Sequence, residues 1–400
     1  MIIEKGGVTS PSGFSAAGVA CGIKKNGKKD LAVVCSDIPA TAAGVFTTNV
    51  VKGHSLQVTM DHIKCGTARA VVVNSGNANA CVGEQGQKDA LEITALAARL
   101  LGCKQQEVLV NSTGVIGMKL DMQAVRSGIE NAVAKLSHDG GHEAEEAIMT
   151  TDLVPKEIAV QIELGGKKAV IAGMSKGSGM IHPNMATMIG IITTDASISK
   201  ELLQKALKEI TGHTFNRISV DGDTSVCDMV VALANGKAEN EEIKTENSDY
   251  LAFKDALNTV CTYLARLVAK DGEGATKLIE VNVKGAPSAE TAYKIACAVA
   301  KSPLVKTAFF GEDANWGRVI TAAGYSGASF DPDKVDIYIS GLATCRNGVA
   351  LAFDEAEAKK LLKEKEIDIT IDLKSGDFSD RMWTCDFSYD YVKINGSYRS

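Results

Sequence analysis

The 400-residue sequence predicts an α+β fold of mixed sheets covered by helices. Runs rich in β-branched residues follow one another in twos and threes, and helical periodicity falls between them without a regular β-α-β-α alternation. A third observation removes the main competitor. No G-x-G-x-x-G leaves a strand to open a helix, and no G-x-x-x-x-G-K-[ST] occurs, so a doubly wound dinucleotide sheet and a P-loop both lose their support.

Along the chain, strands are expected at 31–36 ("LAVVCS"), 68–74, 107–112 ("EVLVNS"), 156–164, 167–174, 187–194, 226–233, 277–284, 334–340, 367–373 and 386–394. Helices are expected at 88–101, 121–136, 200–211, 248–269 and 288–301. Asp121 and Ser199 stand where N-caps belong. With 38 glycines and 7 prolines, the connections read as tight turns rather than disordered linkers.

A hydrophobic content of 45% is enough for a large core, in two or three domains or one large unit. The net charge of −6 lacks the basic excess of a nucleic-acid surface. The N-terminus "MIIEKGGVTS" has no basic region followed by an apolar core, and no apolar run reaches membrane-spanning length. A cytoplasmic protein with neither nucleic-acid nor membrane partners is expected. The 10 cysteines form no C-x-x-C pair and no zinc-spaced cluster. They are expected to be reduced and packed as small hydrophobes.

The chemically informative stretch is "KGSGMIHPNMATMIGIITTDA", residues 176–196. Gly173-Met174-Ser175-Lys176-Gly177 formally matches the G-x-S-x-G elbow, but no helix follows it and Pro183 interrupts the next segment. The glycines fit an anion-binding nest or a plain surface loop. Thr187, first residue of the apolar run, adds a third option. Its hydroxyl is a poor nucleophile without a base. If the Ala186–Thr187 peptide were cut, the new α-amine, with a pKa of about 7.7–8.0, would be partly neutral near pH 7.5. It would then lie within reach of its own hydroxyl. Farther on, "DGDTSVCD" offers Asp221, Asp223 and Asp228, which suit a hard cation or, with no further ligand set, loop and helix capping.

The same stretch closely resembles the cleavage-site signature of the ornithine acetyltransferase family, which in many bacteria is a bifunctional glutamate N-acetyltransferase. Ordered matches run along nearly the whole chain: "PATAAGVFTTN" (39–49), "VVVNSGNANACVGEQG" (71–86), "NSTGVIG" (111–117), "TTD" (150–152), "SVDGDTSVCD" (219–228), "DGEGATKL" (271–278) and "GEDANWGR" (311–318). The resemblance implies a layered α/β sandwich similar to N-terminal-nucleophile hydrolases, with different connectivity. It implies self-cleavage between Ala186 and Thr187, giving an α chain of residues 1–186 and a β chain of 187–400, two of each forming a heterotetramer.

The implied reaction moves an acetyl group from N2-acetylornithine to L-glutamate through an acetyl ester on Thr187. No metal or cofactor is implied, and acetyl-CoA is a co-substrate in bifunctional members. By the same resemblance Thr113 and Gly114 form the oxyanion hole. Thr150, Lys176, Thr187, Glu273, Asn395 and Ser400 bind substrate. Ser400 departs from the usual terminal threonine, keeping the hydroxyl and losing a methyl. "GEDANWGR" gives Asp313 and Arg318 no chemical step. An amidohydrolase or peptidase using the same Thr187 is the alternative, and a non-enzymatic ligand-binding protein is the third reading.

Overall fold

A computed structural model of the chain describes residues 1–182 and 188–397. Ala186, Thr187 and Ser400 lie outside the described residues. The chain divides into two compact units. One comprises Met1–Gly177, Pro183–Asn216 and Thr224–Ala265, and the other Ser178–His182, Arg217–Asp223 and Arg266–Ser400. This division concerns packing, whereas the expected cut after residue 186 is covalent.

The first unit holds β1 (Ile2–Ile3), β2 (Phe14–Val19), β3 (Leu31–Phe46), β4 (Thr67–Asn77), β5 (Val108–Val115), β6 (Glu157–Leu164), β7 (Lys167–Lys176) and β8 (Ile189–Thr194). After the short β9 (Ile218–Ser219) of the second unit, β10 (Met229–Ala234) returns to it. Among the described residues these make one nine-stranded mixed sheet in the order β1-β6-β7-β8-β10-β3-β4-β5, with β2 also paired to β3. β8 runs parallel to β10 and β4 to β5, and the other pairs are antiparallel.

The helices here are α1 (His54–His62), α2 (Glu84–Leu101), α3 (Met122–Ala134), α4 (Gly141–Ile148), α5 (Lys200–His213) and most of α6 (Ser248–Lys270). Both faces of β3 and β4 are buried, which is why their sequences are near-continuous apolar runs. Ala32, Val34, Val71 and Val73 pack with Ala144 and Ile148 of α4. Their neighbours Leu31, Val33 and Val72 point the other way, onto Ile93 of α2 and Ile129 of α3. Asp121 and Ser199 cap α3 and α5 as expected, accepting from the N–H groups of Ala124 (3.1 Å) and Leu202 (3.4 Å).

The second unit adds β11 (Leu278–Ala286), β12 (Asp336–Ile339), β13 (Leu342–Arg346), β14 (Val349–Ala350), β15 (Glu366–Asp372) and β16 (Phe378–Cys385). Its sheet order is β14-β13-β12-β15-β11-β16-β9. The helices are α7 (Ala289–Lys301), α8 (Pro303–Phe310), α9 (Trp316–Gly324), α10 (Glu355–Leu362) and α11 (Tyr389–Gly396). β11 shows strict alternation: Ile279, Val281 and Val283 pack with Ile295 and Val299 of α7 and Val319 of α9. On its polar face Glu280 accepts from Arg266 (2.8 Å) and from the Trp383 indole (2.9 Å).

The α+β layering expected from consecutive strands is therefore observed. One element differs in kind. The expected strand over 386–394 is instead the end of a linker followed by α11, and the strand lies earlier, at β16. The alternation in "DFSYDYV" imitates a strand, but Ser388 accepts from the Asp390 N–H at 3.1 Å and caps a helix. Phe387 and Tyr391, four apart, stack at 4.6 Å between ring centroids. Helices α1, α4, α8, α9 and α10 were not anticipated, since eight or nine residues show too few periods to stand out. All ten cysteines are free, and five of them are buried. Among the described residues no helix is long and apolar enough to cross a membrane, and no cluster could hold a metal ion.

Candidate active site

Thr113 and Gly114 lie within β5, which runs past the expected strand end at residue 112. The parallel β4–β5 ladder becomes irregular beside them, at Gly76 and Asn77. Gly114 adopts φ +132°, and a Cβ there would stand 2.4 Å from the carbonyl carbon of Gly76 and 2.6 Å from the Asn77 nitrogen. Only glycine permits that approach. Such an irregularity re-aims the backbone at the end of a strand. The Thr113 hydroxyl has no hydrogen-bond partner among the described residues.

A buried polar network supports the irregular strand ends. Ser112 Oγ meets Asn74 Oδ1 at 2.6 Å and Ser55 Oγ at 2.7 Å. Asn79 donates to Ser55 Oγ at 3.1 Å, while its own N–H donates to Asn77 Oδ1 at 2.8 Å. Asn74 Nδ2 closes the circuit on the Asn77 carbonyl at 2.9 Å. Burying so many polar groups is tolerable because nearly all are paired, and pairing fixes their orientation. The "NSGNAN" and "NST" stretches thus form the scaffold around Thr113 and Gly114.

Lys176 ends β7, pairs with Ile189 at the start of β8, and is 7% exposed. Its ammonium makes no direct hydrogen bond or ion pair among the described residues. It acts instead at longer range on two carboxylates, Asp152 and Asp228. Asp152 ties the surroundings together. Its Oδ1 accepts from the Gly177 N–H and from Lys156 Nζ, both at 2.7 Å, and its Oδ2 accepts from the Thr150 N–H at 2.8 Å. One carboxylate therefore places Thr150 beside the end of β7.

Burial pushes the Asp152 carboxyl up, but Lys156 and Lys176 outweigh it and hold it well below the usual range. Asp228 goes the other way. It is fully buried, burial raises it well above normal, and hydrogen bonds from Ser225 and Thr47 and the charge of Lys176 only partly offset this. Among the described residues its Oδ2 is buried without a partner. The neighbouring Cys227 carbonyl accepts from Asn111 Nδ2 at 2.8 Å, two residues before Thr113. The 225–228 loop therefore touches both halves of the first unit's polar cluster. Lys24, whose ammonium donates to the Met149 carbonyl at 2.7 Å, completes it. Burial lowers Lys24 to about 8.

In the second unit Glu273 is 6% exposed, and its Oε2 accepts from Asn395 Nδ2 at 2.8 Å across 122 residues of sequence. The loop carrying it is tied to α11, since Ser388 Oγ donates to the Gly274 carbonyl. Gly274 adopts φ +69°, and a Cβ there would meet the Tyr391 nitrogen at 2.5 Å. The Glu273 carboxylate lies against Gly179, where a Cβ would come within 2.4 Å of both oxygens. Burial, then the charges of Asp221 and Glu273, push the Tyr391 phenol far above its ordinary value.

Of the residues singled out in the sequence, Thr113, Gly114, Thr150 and Lys176 belong to the first unit's polar cluster, and Glu273 and Asn395 form a contact in the second. Thr187, Ala186 and Ser400 lie outside the described residues. Asp152, Lys156 and Lys24 were not anticipated. Asp152 stood inside the quoted "TTD" without a role, and "GIKKNGKK" around Lys24 looks like any exposed basic turn.

The ArgJ family model matches residues 15–400. A curated relative from Symbiobacterium thermophilum, the arginine biosynthesis bifunctional protein ArgJ, is 55% identical over 397 residues, covering 99% of each chain. The protein of that name from Bacillus anthracis is 50% identical over 399 residues, 100% of this chain and 98% of the relative. A crystal structure of the arginine biosynthesis bifunctional protein from Bacillus halodurans aligns with TM-score 0.50 and 48% identity, covering 51% of this chain and 96% of the solved one.

Proposed function

This chain belongs to the ArgJ family, and on that premise we propose that it moves an acetyl group from N2-acetylornithine to L-glutamate through an ester on Thr187. The products are ornithine and N-acetylglutamate. Acetyl-CoA is the second donor, as the word "bifunctional" in the relatives' names suggests. The observation that carries the reading is Lys176: a buried ammonium with no direct partner among the described residues suits an anionic ligand such as an amino-acid carboxylate.

Maturation comes first. Thr187 Oγ attacks the Ala186 carbonyl carbon, the C–N bond breaks, and the hydroxyl proton passes to the nitrogen. Water then hydrolyses the ester, leaving a carboxylate on Ala186 and a free amine and hydroxyl on Thr187. A solved relative's chain that covers half of this one is what such a cut would leave.

In transfer, the α-amine takes the Oγ proton as Oγ attacks the acetyl carbonyl. The Thr113 hydroxyl and the Gly114 N–H stabilise the oxyanion, a role worth a few kcal/mol per donor. Collapse expels ornithine with its proton and leaves acetyl-Thr187. The glutamate amine then attacks the ester and restores the hydroxyl. Thr150 and Lys176 hold the α-carboxylate, and Glu273, oriented by Asn395, receives the side-chain ammonium of ornithine. Ser400 adds a hydroxyl. The two fragments assemble as a cytoplasmic α2β2 heterotetramer.

Thr187→Ala tests the reading. Wild-type protein should run as two fragments on a denaturing gel and form N-acetylglutamate from acetylornithine only when glutamate is present. The variant should remain one 400-residue chain with transfer at background. Release of free acetate at the same rate with and without glutamate would instead make the protein a hydrolase.

A further inference from the structure

Two residues of the "DGDTS" stretch have no part in the chemistry above, and their hydrogen bonds give one of them a task. Asp221 is mostly buried, and its carboxylate accepts from the Met180 N–H on Oδ2 (2.6 Å) and from the Ile181 N–H on Oδ1 (2.8 Å). The Asp223 N–H also reaches Oδ1, at 3.2 Å. The Val220 N–H donates to the Ile181 carbonyl at 2.7 Å. Just upstream, Ser178 Oγ donates to the Asp271 carbonyl at 2.7 Å, and the Ser178 carbonyl accepts from the Glu273 N–H at 3.0 Å. All these residues belong to the second unit.

Met180 has φ +55°, in the left-handed region that side chains other than Asn, Asp and Gly rarely enter. A side chain held there must be over-determined by its surroundings. The Met180 side chain is 44% exposed, whereas Ile181 beside it is buried and held through its carbonyl by Val220. The two successive N–H groups of the left-handed turn are gripped by the Asp221 carboxylate. Ile181 stands five residues before Ala186, and the chain regains the sheet at Ile189.

We propose that Asp221 is a positioning residue for self-cleavage, its carboxylate setting the Met180–Ile181 turn from which the chain enters the Ala186–Thr187 bond. The proposal rests on the maturation reading above. Without the clamp, Ile181 keeps its buried side chain and its carbonyl bond to Val220, but the left-handed turn at Met180 loses the acceptor of its two N–H groups, and the bent peptide that hydroxyl attack requires is met less often. The first bond to form, Oγ to the Ala186 carbonyl carbon, is the one that depends on this geometry. Hydrolysis of the resulting ester does not.

The test follows maturation of the full chain by denaturing gel and intact mass, with hydroxylamine added to cleave any ester already formed. Asp221→Asn keeps the shape but turns an N–H donor toward an N–H donor. It should accumulate intact precursor, maturing about 10- to 100-fold more slowly, and that precursor should resist hydroxylamine. Met180→Pro removes one of the clamped N–H groups from an exposed position and should do the same. Met180→Gly, at ease at φ +55°, should mature like wild type. Melting curves for all three keep loss of folding separate from loss of positioning. Wild-type maturation rates in both Asp221→Asn and Met180→Pro overturn the clamp, as does hydroxylamine-sensitive Asp221→Asn precursor. A wild-type chain that never cuts, or a Thr187→Ala chain that does, overturns the maturation reading instead.

Discussion

Asp152→Asn should cost about 3–5 kcal/mol of stability, because it leaves the Lys156 ammonium charged and buried without its counterion. Both side chains are inaccessible to solvent, and their contact is 2.7 Å. Lys156 has no route to water, and its backbone is itself fixed: the N–H donates to Glu145 Oε1 at 2.9 Å and the carbonyl accepts from Ser175. The substitution also weakens the grip on the Thr150 and Gly177 N–H groups, so acetyl transfer should fall along with the melting temperature. Lys156→Met in the same chain should recover a large part of the stability but not the transfer, since a thioether fills the space without restoring the acceptor for Thr150.

The pH dependence of the wild type follows from the same pair. A carboxyl depressed in the folded state contributes stability above its unfolded value of about 3.9. That contribution is lost as pH falls below 3.9 or so toward the folded value. Resistance of the wild type to urea unfolding should therefore weaken in acid below about pH 4, whereas Asp152→Asn should lack this component of the acid limb. Equal stability of the two proteins at pH 7 would contradict the account of the clamp.

Thr113→Val should lower kcat for acetyl transfer by about 10²–10³-fold, the usual loss when one oxyanion donor is removed. It should leave the melting temperature within about a degree or two, as a substitution that breaks no hydrogen bond normally does. The two effects separate because the hydroxyl has no partner to lose among the described residues, while valine keeps the branched shape that β5 prefers. Thr113→Ser should retain most activity. A Thr113→Val protein with unchanged kcat would remove Thr113 from the oxyanion hole. Gly114 is a less discriminating probe, because any Cβ there collides with β4 whatever the chemistry.

The fold was legible where strands are buried on both faces. "ARAVVVN" (68–74) and "IGIITT" (189–194) form long runs rich in apolar residues, and the structure places them in the interior of one sheet. It was misread at "DFSYDYV", where chance alternation outweighed the serine cap at Ser388 within it. The candidate site was legible only in part, for a different reason. Glycine spacing and a threonine at a strand start allow self-cleavage chemistry, but nothing local distinguishes Lys176 or Glu273 from a surface charge. Their burial comes from strands and helices far away in sequence. The pairing of Glu273 with Asn395 spans 122 residues, and Asp221 holds N–H groups 40 and 41 residues upstream. Such contacts have no periodicity to read, and the resemblance, not the pattern, drew attention to Glu273 and Asn395. Asp152 and Asp221 drew no such role, because an aspartate that clamps a backbone looks in sequence like any turn aspartate.

The central claim is a covalent acetyl group on Thr187. Processed protein mixed with N2-acetylornithine in the absence of glutamate, quenched in acid and weighed intact, tests it most directly. The fragment beginning at Thr187 should be heavier by one acetyl group, and a chase with glutamate before the quench should return it to its starting mass. An unmodified fragment in a sample that goes on to form N-acetylglutamate, or an acetyl group found on the fragment ending at Ala186, would contradict the mechanism.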